Sequence, residues 1–170
     1  THVAGGGRVN QSFDDELYEL FVNEGHEHLE VLQTSLLRLE RSSSDRDAVR
    51  DAFRASHSMK GMAATMGQVE LTDLMHALED VLGAIRDGER ASNAATASAM
   101  LDAVDASMRL LDAFVAKSPS TSEIPVEPVL ERLRSLAEAG DDAPGSFAAA
   151  NGHDVHGPDV DTVGAAVLRV

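Results

Sequence analysis

The chain has 170 residues, with 14 Lys and Arg against 29 Asp and Glu, a formal net charge of −15 and no cysteine. That charge argues strongly against a nucleic-acid backbone as partner and disfavours an anionic membrane surface, since both need a basic face, and the lack of cysteine leaves no disulfide or thiolate chemistry. Apolar residues make up 43% and aromatics only 4%, a composition that suits packed helices better than a sheet sandwich.

Residues 1–12, with Gly5, Gly6 and Gly7, show no periodicity and read as a disordered leader. Residues 13–41 predict the first helix. Phe13, Leu17, Leu20, Phe21, His28, Val31, Leu32, Leu36 and Leu39 follow mostly three- and four-residue steps. Three serines interrupt it, and Ser44 is the expected cap of the next helix. Residues 45–66 predict that second helix, with Val49, Ala52, Ser56, Met59, Ala63 and Met66 facing inward and Gly67 as its C-terminal cap. A third, 69–87, carries Leu71, Leu74, Leu78, Val81 and Ile85, with Gly88 as the next cap. A fourth, 94–117, carries Ala97, Leu101, Val104, Met108, Leu111 and Val115, with Asn93 or Ser92 as N-cap.

Ser118 to Pro125 reads as a linker, and Pro128 suits the first turn of a shorter fifth helix with Val129, Leu130, Leu133 and Leu136 as its stripe and Gly140 as its end. Residues 141–170 have a linker composition, and Val163 to Val170 could begin a further domain. The domain is therefore expected at 13–140. The fold class is all-α: an antiparallel up-and-down four-helix bundle with a fifth, C-terminal helix. No apolar run approaches the roughly 20 residues of a membrane span. No signal-peptide layout opens the chain, and a cytoplasmic protein is expected.

Residues 56–67, Ser-His-Ser-Met-Lys-Gly-Met-Ala-Ala-Thr-Met-Gly, carry the chemistry. At 100 degrees per residue, Lys60, Gly61 and Ala64 fall within about 60 degrees of His57, while Ala52, Met59 and Met66 point the other way. His57 is thus expected to face outward. Lys60, one turn on, can reach oxygens of a phosphoryl group on that imidazole. Glycine inside a helix costs about 1 kcal/mol relative to alanine, and Gly61 has a use if a bulky partner must come close; Ala64 continues the bare stripe. On the third helix His76 and Glu79 share a face off the apolar stripe. If the two helices are antiparallel neighbours, Glu79 or His76 approaches His57, and a carboxylate on one ring nitrogen leaves the other nitrogen free as a nucleophile.

His57-Ser-Met-Lys60-Gly61, then Ala64, Gly67 and His76-Ala-Leu-Glu79-Asp80, resembles the histidine phosphotransfer (HPt) domain, more narrowly the N-terminal P1 domain of CheA-type chemotaxis histidine kinases. The resemblance spans roughly 13–140. It implies that His57 is the phosphorylated histidine, that Glu79 orients its ring, and that Lys60 and His76 complete the network. It implies a phosphoacceptor that is not an enzyme by itself. Its phosphoryl source is ATP, through a separate kinase domain of the same protein, and it donates to an aspartate of a response regulator. No cofactor is expected on the chain, which has no Gly-rich nucleotide loop ending in Lys-Ser/Thr. An HPt module of a multistep phosphorelay is the nearest alternative. From other classes, a metal-binding bundle or a docking bundle without chemistry stays open. His26 and His28, near Glu24 and Glu27, lack the Glu-x-x-His pair of diiron bundles and read as solvated or boundary residues; His153 and His156 lie in the linker.

Overall fold

The computed structural model describes residues 7–117 and 123–138, with side chains from residue 15 onward. Five α-helices run in order: α1 (Gly7–Arg41), α2 (Arg46–Thr65), α3 (Val69–Arg86), α4 (Ala94–Val115) and α5 (Val126–Glu138). Short connections force successive helices antiparallel. Cross-helix pairs agree: Tyr18 reaches the Val115 carbonyl while His26, further along α1, meets Asp112, earlier in α4. α1 packs on α2 and α4, α3 on α2 and α4, so the four long helices close a ring, and α5 lies against α3 and α4.

Each end of α2 shows how local chemistry fixes the elements. The N-cap is Asp45, not Ser44: its Oδ1 accepts from the Ala48 amide at 2.9 Å. A carboxylate can cap and still hold a cation, and Asp45 also binds the Arg38 guanidinium. At the other end Gly67 takes φ +67. The Gly67 amide then donates to Ala64 and the Gln68 amide to Ala63, closing the last carbonyls. Gly88 ends α3 in the same way. α4 starts at the expected cap, with Asn93 Oδ1 accepting from Thr96. Its end uses Lys117 at φ +49, a left-handed position filled without glycine.

α1 differs most from expectation. It begins at Gly7, so residues 7–12, expected as leader, are helical; a helix already nucleated by packing extends at little cost. Its buried line is Phe21, Gly25, Leu29, Leu32, Leu36 and Leu39, while Leu20 and Val31 are exposed. Leu29, one position from the expected His28, is the true core residue because α1 turns a face to both α2 and α4. Gly25 faces both neighbours with no room for a side chain: a Cβ there would lie 3.1 Å from Leu111 Cδ2 and 3.3 Å from Met59 Cε. Residues 1–6, 118–122 and 139–170 lie outside the described residues, and with them the expected C-terminal linker and Gly140.

Candidate functional site

The apolar line of α2 fixes where its outer face points. Ala52, Ser56, Met59 and Ala63 are buried against α1 and α3, which turns His57 outward with 66% of its side chain exposed. α3 runs antiparallel beside it, and its core residues Met75, Leu78 and Leu82 set Glu79 at the edge facing α2. Glu79 Oε1 lies 3.0 Å from His57 Nδ1, and Glu79 Oε2 lies 2.5 Å from Lys60 Nζ. Glu79 is only 15% exposed and Lys60 27%, so one carboxylate at a half-buried edge holds an imidazole and an ammonium together.

Burial acts to raise the Glu79 carboxyl. The Lys60 hydrogen bond, then that of His57, and the charges of both outweigh it and hold the group below its ordinary value. An ionised carboxylate only accepts hydrogen bonds, so the Nδ1 it contacts must carry the hydrogen. In the neutral ring the lone pair then sits on Nε2, on the exposed side. The arrangement is a nucleophilic nitrogen held outward with an acid behind it to balance any positive charge that develops on the ring.

His76 does not join this contact. Its Nε2 faces Asp80 Oδ2 at 3.8 Å, one turn along α3, and both are exposed. Gly61 is open: a Cβ there meets nothing within 4 Å. Ala64 is exposed beside it. Leu20, expected in the core, instead lines a groove of about 140 Å³ with Leu17, Phe21, Glu24, Met62, Thr65 and Met66, between α1 and α2. His26 donates from Nδ1 to the Val22 carbonyl, and its Nε2 lies 3.3 Å from Asp112. Among the described residues no three His, Cys, Asp or Glu side chains gather as a metal site would need. No helix is long and apolar enough to cross a membrane among those residues.

Residues 16–114 match the family model described as the Hpt domain. The chain belongs to the Hpt domain family. Among curated relatives, this Hpt domain is 33% identical over 145 residues to the chemotaxis protein CheA of Treponema pallidum, covering 85% of this chain and 17% of that protein. It is 45% identical over 75 residues to CheA of Bacillus subtilis, covering 44% of this chain and 11% of that one. The chain thus spans less than a fifth of the length of these relatives. A solution structure of the histidine phosphotransfer domain of CheA superposes with a TM-score of 0.67 at 30% identity, covering 76% of this chain and 98% of that one. The phosphorylated P1 domain of CheA3 from R. sphaeroides, crystallised in complex with CheY6, gives 0.63 at 25% identity, covering 72% and 96%. The all-helical bundle of this Hpt domain is therefore the fold expected from its sequence.

Proposed function

We propose that this Hpt domain is the phosphoacceptor of a chemotaxis histidine kinase, with His57 receiving the γ-phosphoryl group of ATP and passing it to an aspartate of a response regulator. The observation that carries this is the Glu79 contact to Nδ1, which leaves Nε2 as the exposed nucleophile. The Nε2 lone pair forms the N–P bond while the bond from phosphorus to the bridging oxygen breaks, and ADP leaves with that electron pair. The ring becomes an imidazolium whose Nδ1 hydrogen faces the Glu79 carboxylate, so no proton has to move. In the second transfer a carboxylate oxygen of the regulator attacks phosphorus, the N–P electron pair returns to Nε2, and the neutral ring is restored.

Lys60 supports this reading as a cation beside the acceptor, although its ammonium is shared with Glu79. Gly61 and Ala64 leave room for a partner to bring its phosphoryl group or its aspartate within bonding distance. The adjoining groove with exposed Leu20 offers that partner an apolar foothold. His76 stands outside this pair, beside Asp80, with no contact to the ring. ATP would be bound by a kinase domain of the same protein, in the cytoplasm. The relation to the CheA relatives favours the chemotaxis module over a general phosphorelay module.

The test is incubation of the chain with its kinase domain and γ-labelled ATP. Acid-labile, base-stable label is expected, and His57→Gln is expected to abolish it. Label that survives in His57→Gln would overturn the assignment.

A further inference from the structure

The outer face of α2 carries more cations than Lys60. Taking His57 as zero at 100 degrees per residue, Arg46 and Arg50 lie within about 20 degrees of it and Arg54 about 60 degrees away. Lys60 falls about 60 degrees to the other side, toward α3, where Glu79 holds it. Arg54 therefore flanks the ring on the side away from Glu79.

The nearest acid on its own helix is already shared. Asp51, three residues before it, faces Arg38 at 3.6 Å and Arg50 at 3.7 Å. Asp47 is held by Arg50 at 3.0 Å. Arg86, on α3, is paired with Asp87 and stacked over Phe53 at 4.7 Å. Arg54 is exposed and has no ion pair with any acid among the described residues. Helical side chains lean toward the N-terminus, which tilts the His57 side chain in the direction of the preceding turn, where Arg54 stands.

A phosphoryl group on Nε2 places nearly two negative charges on its oxygens, of which the imidazolium ring offsets one. Lys60 and Glu79 together sum to zero and cannot balance the remainder. We propose that Arg54 is a second phosphoryl-contacting residue, its guanidinium closing on the oxygens of the group at His57 Nε2 from the side opposite Lys60. Guanidinium binds phosphate through two parallel N–H donors, a geometry an ammonium lacks. The assignment rests on His57 being the phosphoacceptor, and it adds a residue to that site.

The test loads the full chain with phosphoramidate, a small phosphoryl donor that needs no kinase, and follows the phosphohistidine by ³¹P NMR. Wild type, Arg54→Gln, Arg54→Lys and Arg50→Gln are compared, with thermal melts to verify folding. Arg54→Gln is expected to load about three- to tenfold more slowly, the range of one charge-assisted contact at an exposed site. Its ³¹P resonance is expected to move, Arg54→Lys to recover only part of the rate, because it keeps the charge and loses the paired donors, and Arg50→Gln to behave as wild type. Wild-type loading and an unmoved resonance in Arg54→Gln would overturn the assignment. So would equal losses in Arg54→Gln and Arg50→Gln, which would mean a diffuse field. A loss seen only with protein partners would make Arg54 a docking residue and also overturn it. Absence of phosphohistidine on the wild type would instead remove the phosphoacceptor reading, and this assignment with it.

Discussion

Glu79 is the residue on which the site turns, and its titration gives a direct handle. Its folded-state carboxyl lies below its ordinary value of 4.5, because Lys60 and His57 outweigh the effect of burial. The unfolded chain therefore binds that proton at higher pH than the folded one. The stabilisation is complete above about pH 4.5 and is lost as pH falls through the lower, folded value. Glu79→Gln has no such titration. It is expected to be less stable than wild type near pH 7, with the gap closing toward pH 3 in urea unfolding at a series of pH values; a gap that persists in acid would contradict the charge argument. Gly61 gives the opposite kind of test. A Cβ there meets nothing, so Gly61→Ala is expected to raise stability by up to about 1 kcal/mol while slowing transfer to a protein partner. Unchanged transfer would mean that the bare turn serves no approach. His57, Lys60 and Gly61 were legible in the sequence because one helical period groups them. Arg54 was not, because an arginine in a row of arginines reads as a solvated face until the partners of Asp47 and Asp51 are seen. The place of His76 also needed coordinates: spacing allows it Glu79 or Asp80, and its Nε2 lies 3.8 Å from Asp80 Oδ2.

At the scale of elements, the signals of Gly67, Gly88 and Asn93 at helix ends were reliable, because each answers a backbone demand that few residues meet. Asn93 satisfies the Thr96 amide at 2.9 Å and its hydroxyl at 3.1 Å. Asn93→Ala is expected to cost about 1 kcal/mol, read as a lower urea midpoint with an unchanged slope. A loss below a few tenths would mean that water replaces the cap. Weaker signals failed where two residues offered the same chemistry. Ser44 and Asp45 both cap well, and the second wins because Arg38 anchors its carboxylate. The start of α1 was illegible because residues 7–12 carry no apolar pattern; their helix extends the segment that packs from Phe21 onward. The stripe of α1 was displaced for a related reason. A helix touching two neighbours has a broad buried face, and sequence alone does not say which edge faces solvent.

At the scale of the molecule, the bundle holds two helix edges side by side, with His57 on one and Glu79 on the other. Gly25 contributes to that arrangement from the far side of α2. Its missing side chain lets α1 close on Leu111 and on Met59, two residues from His57 in sequence and fully buried beneath it. Gly25→Val is expected to destabilise the domain by about 2–3 kcal/mol through overpacking, measured by chemical unfolding. A neutral result would show that α1 sits further from α2 and α4 in solution. The fold class was legible because four long amphipathic periods separated by short breaks admit few arrangements besides a bundle. The packing of α5 on α3 and α4, pinned by Arg132 to Asp102 at 2.5 Å, was not, since its stripe fits any flank. The central claim is that Glu79 takes Nδ1 and leaves Nε2 to react. Long-range ¹H–¹⁵N NMR of the phosphorylated chain, with ring-labelled histidine, reads which nitrogen of His57 bears phosphorus. An N–P bond at Nε2 is the expected result, and one at Nδ1 would contradict the account.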